Sequence, residues 1–547
     1  MQSIKLSVTV RGRLASKYSA ADLRTIDAAV RKWITADAAR GIRTVHVAVD
    51  DRRQMQEHGA GAATVKGTAT ALQVKRAVDA LWSRLSPDYL VLFGAPDVVP
   101  YFVVSNPSFN VDGDDEKTTP TDNPYACSAP YARARRASYL VPDRVVGRIP
   151  DMVKDGDPAW FLAYLETATK WASRPRSDYD GAYAICCDEW KDAGRDCMEY
   201  IGEPRDRLMI SPPVDDDTAA ARTRLKARAH MIKCHGAGMD PMFYGQKGED
   251  FFPEALRSET LKTRVAPACL PAAMCCFGAQ VYWPDDPRAS RRGQWPIAST
   301  YLRMGALGFA GSTMVAWVGP GEMMCADWIA AGYLKGVFGG ASLGRAMLEA
   351  KQDLVRWIQQ QGRAPDLAEE KTLVEFVLLG DPSIHPVAAA PAAVPRARGA
   401  AGPALAARPS TLALQERRQR RMVRADLAVS MRVALPMRTA VHATAARAQQ
   451  LFRTVEALLG KDVAQYGLKA QETKVQKVQT RIAVGVPATR AAAGIGRVRA
   501  AIGSMRDSYE YYWTGRKEHD GLRTIRLVKV EADAAGNVLR TAVRHSA

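Results

Sequence analysis

Two short segments set reactive side chains beside glycine at the ends of apolar runs: KCHGAG at 233–238 and AAMCCFGAQ at 272–280. In an open parallel sheet, the carboxyl ends of the strands form the crevice where ligands bind. Neighbouring strands ending at these segments would bring His235 and a cysteine together there. A thiol beside an imidazole can become a thiolate, the form that attacks carbonyl carbon. Gly236 lets the backbone approach a substrate closely, and its N–H can help to stabilise an oxyanion. On paper this is a hydrolase of peptide or amide bonds. Each half alone is weak. A buried cysteine at a strand end is usually a small hydrophobe, and a second His-Gly occurs in EHGAG at 57–61, after a polar segment. The pairing carries the signal. Neighbours in a strand point to opposite faces, so only one of Cys275 and Cys276 can meet His235.

The elements that must position these residues follow from periodicity. Ile4–Val10, Val45–Val49 and Asp88–Phe93 read as strands, and Ala20–Ala36 and Ala71–Leu85 have helical spacing of apolar residues. A polar loop runs from Ser105 to about Tyr125, followed by a strand at Ser138–Val141. Beyond a helical stretch at 156–174, further strands are expected at Ala182–Cys187, His230–Cys234, Ala272–Cys276 and Gly305–Ala310. Helices should lie between them at Thr218–Lys226 and Trp295–Met304, and after them at Met323–Tyr333 and Leu343–Gln361. Strands alternating with helices imply an α/β fold with a mostly parallel sheet.

Composition bounds the rest. The chain has 547 residues, 47% hydrophobic and 24% charged, which excludes a disordered or collagen-like protein. The net charge of +18 is uneven: residues 401–547 hold 26 Lys and Arg against 11 Asp and Glu. Residues 388–409 are almost only Ala, Pro, Gly and Arg and read as a linker. The expected organisation is an α/β unit over 1–155, the unit with the reactive segments over 156–387, and a basic α+β region over 410–547. That region should end in a hairpin of Thr524–Val530 and Val538–Val543. Nine cysteines with two adjacent pairs do not suggest a disulfide framework, and no C-x-x-C metal spacing occurs. No metal or other cofactor is expected. Neither a signal peptide nor a membrane span is evident, so a soluble cytoplasmic protein is expected.

His-Gly on one strand end followed by Ala-x-Cys-x-x-Gly on the next resembles the clan CD cysteine peptidases. Further segments narrow the resemblance to the gingipain-like branch: LVLFGAPDVVPYF at 90–102, TDNPYA at 121–126 with PDRVVGRIP at 142–150, and LLGDPSIHP at 378–386. The resemblance covers roughly residues 80–387. It implies a caspase-like three-layer sandwich in two related subdomains, with a Cys-His dyad in the second. His235 would be general base and acid, a cysteine the nucleophile, and Gly236 with the nucleophile the oxyanion hole. The spacing to Gly278 found in most of the clan selects Cys275, the expected nucleophile, and the caspase spacing leaves Cys276 as the alternative. The residue that reads the side chain before the scissile bond would be Asp188, implying a preference for Arg or Lys. Asp188 could instead cap the next helix or stay solvated.

A protein or peptide is therefore the expected substrate. The segment QERRQRRMVRAD at 415–426 offers Arg418 and Arg421 as self-processing sites. The basic region 410–547 could alternatively bind nucleic acid or an acidic partner, with Tyr509, Tyr511, Tyr512 and Trp513 stacking on bases, although a solvated helical face is the plainer reading. A silent scaffold or a nucleic-acid-binding regulator is the rival to the peptidase. The acidic loop at 110–117 invites calcium but lacks a full ligand pattern.

Overall fold

A computed structural model describes residues 2–109, 116–133, 135–248, 250–388, 437–460, 462–481, 505–519 and 522–546. The linker residues 389–409, the arginine cluster at 415–426 and positions 110–115 of the acidic loop lie outside them.

Ten strands form one mixed sheet. In chain order they are β1 (Ser3–Thr9), β2 (Ile42–Ala48), β3 (Tyr89–Phe93), β4 (Val146–Ile149), β5 (Tyr183–Cys187), β6 (Met209–Ser211), β7 (Ala229–Lys233), β8 (Leu270–Ala273), β9 (Gly308–Ser312) and β10 (Phe376–Gly380). Their spatial order is β2-β1-β3-β4-β10-β9-β8-β7-β5-β6. Strands β1 to β4 pair in parallel, and so do β9, β8, β7, β5 and β6. Between the two groups lies β10, antiparallel to β9. The architecture is mixed α/β, as the alternation of strand and helix signals implies.

The helices follow from local chemistry. In α1 (Ala20–Ala39) Ser19 and Asp22 form a capping box, and in α2 (Ala71–Leu85) Thr70 and Gln73 do the same. On α2, Val74, Ala77, Val78 and Leu81 recur at the spacing of one helical face and are all buried. Helix α3 (Ala159–Lys170) packs on α1, and α4 (Ala326–Phe338) packs on α5 (Leu343–Gln360). Helix α6 (Leu367–Glu375) starts on a third capping box, Asp366 with Glu369. Two expectations for residues 105–141 fail. Ser138–Val141 is not a strand, because a 3-10 turn at Arg136–Ser138 leads into irregular backbone. The polar loop after Ser105 carries a strand, Thr118–Thr121, which pairs with Phe102–Ser105.

The four segments that resemble a peptidase family prove to be joints of this sheet. Arg148 forks onto Asp122 at 2.9 and 2.6 Å and donates to the carbonyls of Gly94 and Val99 at 2.7 and 2.8 Å. Asp381, just past β10, binds Lys5 of β1 at 2.5 Å and accepts from the Trp33 indole at 3.0 Å. Lys5 also meets Asp37 at 2.6 Å. All these charges are buried.

The C-terminal region forms a second sheet from β11 (Met437–Val441), β12 (Lys474–Arg481), β13 (Met505–His519), β14 (Leu522–Ala532) and β15 (Val538–Ser546), with helix α7 (Ala445–Leu459). The expected terminal hairpin is β14–β15. Tyr511, Tyr512 and Trp513 lie on β13 with exposures of 6%, 1% and 1%. They are core residues, not the exposed stacking rings or the solvated helical face expected from sequence. Trp317, Leu367 and Ala368 share one apolar cluster with Tyr512, Ile525 and Leu527, so the second sheet is packed onto the first part of the chain.

Candidate active site

Strands β7 and β8 are adjacent and parallel, with Ala273 opposite Ile232. Both reactive segments begin where these strands stop. His235 opens a short strand, His235–Gly236, that pairs with Met242–Tyr244. The cysteines do not sit in a strand as expected, because β8 ends at Ala273. They lie on a turn closed by the Gly278 N–H donating to the Cys275 carbonyl at 3.1 Å, with Phe277 at φ +56°. Ser312 braces that turn, its hydroxyl donating to the Cys275 carbonyl at 2.9 Å.

The two thiols diverge. Cys275 is wholly buried, its Sγ 3.7 Å from the Ile232 carbonyl, and burial pushes its thiol well above the ordinary range. Cys276 Sγ faces the other way, accepting from the Ala316 N–H at 3.3 Å. Gly236 is pressed onto this second cysteine: a Cβ there would lie 2.0 Å from the Cys276 carbonyl oxygen. The His-Gly backbone and the cysteine turn are thus in direct apposition.

His235 is almost fully buried between Trp190 and Phe252, with ring centroids at 4.4 and 5.2 Å. Its Nε2 meets Gln246 Oε1 at 2.8 Å, and the Gln246 amide donates to the Gly248 carbonyl at 2.9 Å. Because that amide nitrogen is committed as donor, Oε1 accepts. His235 then carries its proton on Nε2 and leaves Nδ1 as the base. Burial pushes the imidazole down to about 4, with the Gln246 hydrogen bond acting in the opposite direction. Gln246 is a residue that sequence reading misses. It sits on a loop eleven residues from His235, with no spacing that marks it.

Asp188 follows β5 directly. Its carboxylate, half-buried, pairs with Lys191 at 3.0 Å, and Glu189 accepts from the Gly248 N–H at 2.7 Å. Beneath the site, Lys233 and Asp327 form a buried pair at 2.5 Å. Asp327 also accepts from the N–H groups of Gly319 and Met324, which fixes the loop after the two-residue strand Trp317–Val318. Among the described residues no cluster of three or more His, Cys, Asp or Glu is placed to hold a metal ion. Nor is any helix there long and apolar enough to cross a membrane.

Residues 20–154 match the model of peptidase family C25. That segment covers most of the β1–β4 half of the sheet, with Arg148 and the Asp122 turn, and stops short of His235 and the cysteines. The match is a likeness to the gingipain family over about a quarter of the chain. A solved structure named "Structure of Protease" is similar at 14% identity and a TM-score of 0.47, covering 73% of this chain and 83% of its own. No curated protein matches the chain.

Proposed function

We propose that the chain is a cysteine endopeptidase in which His235 and Cys276 form the dyad. The apposition of Gly236 and the Cys276 carbonyl carries this reading, because it sets the two segments at one point. Cys275 fits the spacing of the family, but its thiol is committed to the apolar interior, where a thiolate is costly. Cys276, outside that apolar cluster and with its Sγ against the Ala316 N–H, is the nucleophile of this reading. Its proton passes to His235 Nδ1, and the sulfur attacks the peptide carbonyl. The oxyanion of the tetrahedral intermediate is met by N–H groups at Gly236 and the cysteine turn. The intermediate collapses to a thioester as His235 gives its proton to the leaving amine. Water, deprotonated by the same nitrogen, then releases the acid and restores the thiol. No cofactor enters these steps.

A preference for Arg or Lys before the scissile bond is supported by Asp188 and Glu189, which directly precede Trp190, the tilted ring packed against His235. An incoming cation would take the place of Lys191 on Asp188. Such a preference makes Arg418 and Arg421 candidate self-processing sites.

Peptides ending in Arg, Lys, Asp or Ala before the reporter group test the proposal, with cleavage of the chain itself read by mass. Cys276→Ala and His235→Ala should each lose on the order of 10²–10⁴ in kcat. Cys275→Ala should retain turnover. The reverse result for the two cysteines would return the nucleophile to Cys275, and cleavage surviving His235→Ala would sink the dyad.

A further inference from the structure

Beside the Cys276 thiol runs a strand edge that the chain itself covers. Trp317 and Val318 pair antiparallel with Ser546 and His545 of β15. Ala316, immediately before that strand, gives its N–H to Cys276 Sγ at 3.3 Å. A segment running along this edge in the direction of β15 therefore heads toward the thiol. On the other side, the Trp190 indole N–H approaches His545 Nδ1 at 3.4 Å, and the Trp190 ring packs against His235 with centroids 4.4 Å apart. His545 titrates well below its ordinary range, mainly through burial and then through the charges of Arg526, His235 and Lys233, which places it in the same electrostatic neighbourhood.

An exposed strand edge beside a nucleophile is a ready seat for an extended peptide, which pairs through its main chain whatever its sequence. We propose that the Trp317–Val318 edge is the seat of the peptide substrate, and that β15 holds it through His545 and Ser546, so the described state of the chain is self-occupied. This rests on the peptidase reading of the same site. The occupant is held from behind: Arg544, one residue earlier, binds Asp366 at 2.5 Å, and Lys529 binds the same carboxylate at 3.2 Å. Among the described residues two pairs join β15 to the seat itself, so a substrate has a short ladder to displace while the rest of the second sheet stays docked.

The full chain is compared with Ser546→Pro, which removes one main-chain donor, and with a chain stopped after Arg544. Two readouts are taken: hydrolysis of the peptides above, and alkylation of Cys276 by iodoacetamide, read by peptide mass with Cys275 as internal reference. Both variants should hydrolyse peptide and alkylate at Cys276 at least about tenfold faster than the full chain. A synthetic peptide spanning 541–547 should reverse both effects on the shortened chain. Faster alkylation with no hydrolysis by any form would show that β15 shields the thiol but overturn the peptidase reading, and with it the edge as a substrate seat. Hydrolysis and alkylation unchanged in both variants, with melting curves like that of the full chain, would overturn the self-occupied seat and leave the peptidase reading standing.

Discussion

His235 is held neutral by burial, yet its one hydrogen bond leaves it a usable base. Because its folded value lies near 4, the acid limb of kcat/KM should fall near pH 4, well below the 6.5 of a free imidazole. Gln246→Glu places a carboxylate against Nε2 and should move that limb upward, since an opposite charge favours the imidazolium. Gln246→Leu should lower kcat by about tenfold to a hundredfold while KM changes little, a share of the usual general acid–base contribution. A pH profile for each variant checks both. An unshifted limb in Gln246→Glu would count against Gln246 as the positioning residue. His235, Gly236 and the cysteine pair were legible in sequence because apolar runs ending in reactive residues and glycine have a local signature. The directions of the two thiols were not, because a turn with Phe277 at positive φ, rather than strand alternation, sets them. Gln246 reaches the site through tertiary packing alone.

At the level of elements, the segments at 90–102, 121–126, 142–150 and 378–386 hold the sheet together. Arg148 binds Asp122 and two carbonyls in the interior, so Arg148→Leu should strand a buried carboxylate and cost roughly 3–5 kcal/mol. Chemical denaturation measures this, and a loss under about 1 kcal/mol would contradict the buried pairing. Gly236→Ala is predicted to act differently. Its Cβ would meet the Cys276 carbonyl, so the two segments must part, and turnover should collapse while the melting temperature changes little. Most strands and helices were readable because their apolar period matches one buried face. The strand Thr118–Thr121 was hidden by a proline and three threonines. The position of β10 between β4 and β9 was also out of reach, because nothing local in EFVLLGDP says which strands will flank it.

Across the whole molecule, several described cations of the basic C-terminal region find carboxylate partners within the chain. Arg544 and Lys529 meet Asp366, while Arg438 meets Glu370 at 2.5 Å and Glu510 at 3.1 Å. Burial works against the charge of Asp366, but Arg544, Lys529 and Arg363 outweigh it and hold the carboxyl well below the usual range. Asp366→Asn should therefore loosen the second sheet, seen as faster hydrogen exchange in β14 and β15 with the ten-stranded sheet still protected. Acid acts on the molecule by another route. His230 and His235 are both buried and titrate near 4 when folded. The unfolded chain takes up their protons first, so stability is whole above about pH 6.5 and falls as pH drops toward 4. The slope is roughly 1.4 kcal/mol per pKa unit for each group. Melting temperatures across that range check this, and His230→Gln should flatten the decline.

Strand β10 stands in the middle of the sheet although it is the last of the ten in sequence. Until residue 380 has been made, β4 and β9 each present a bare inner edge, and such edges recruit other chains. A nascent or clipped chain ending before Phe376 is thus an aggregation hazard, and the ribosome must carry synthesis through Gly380 before the central seam can close.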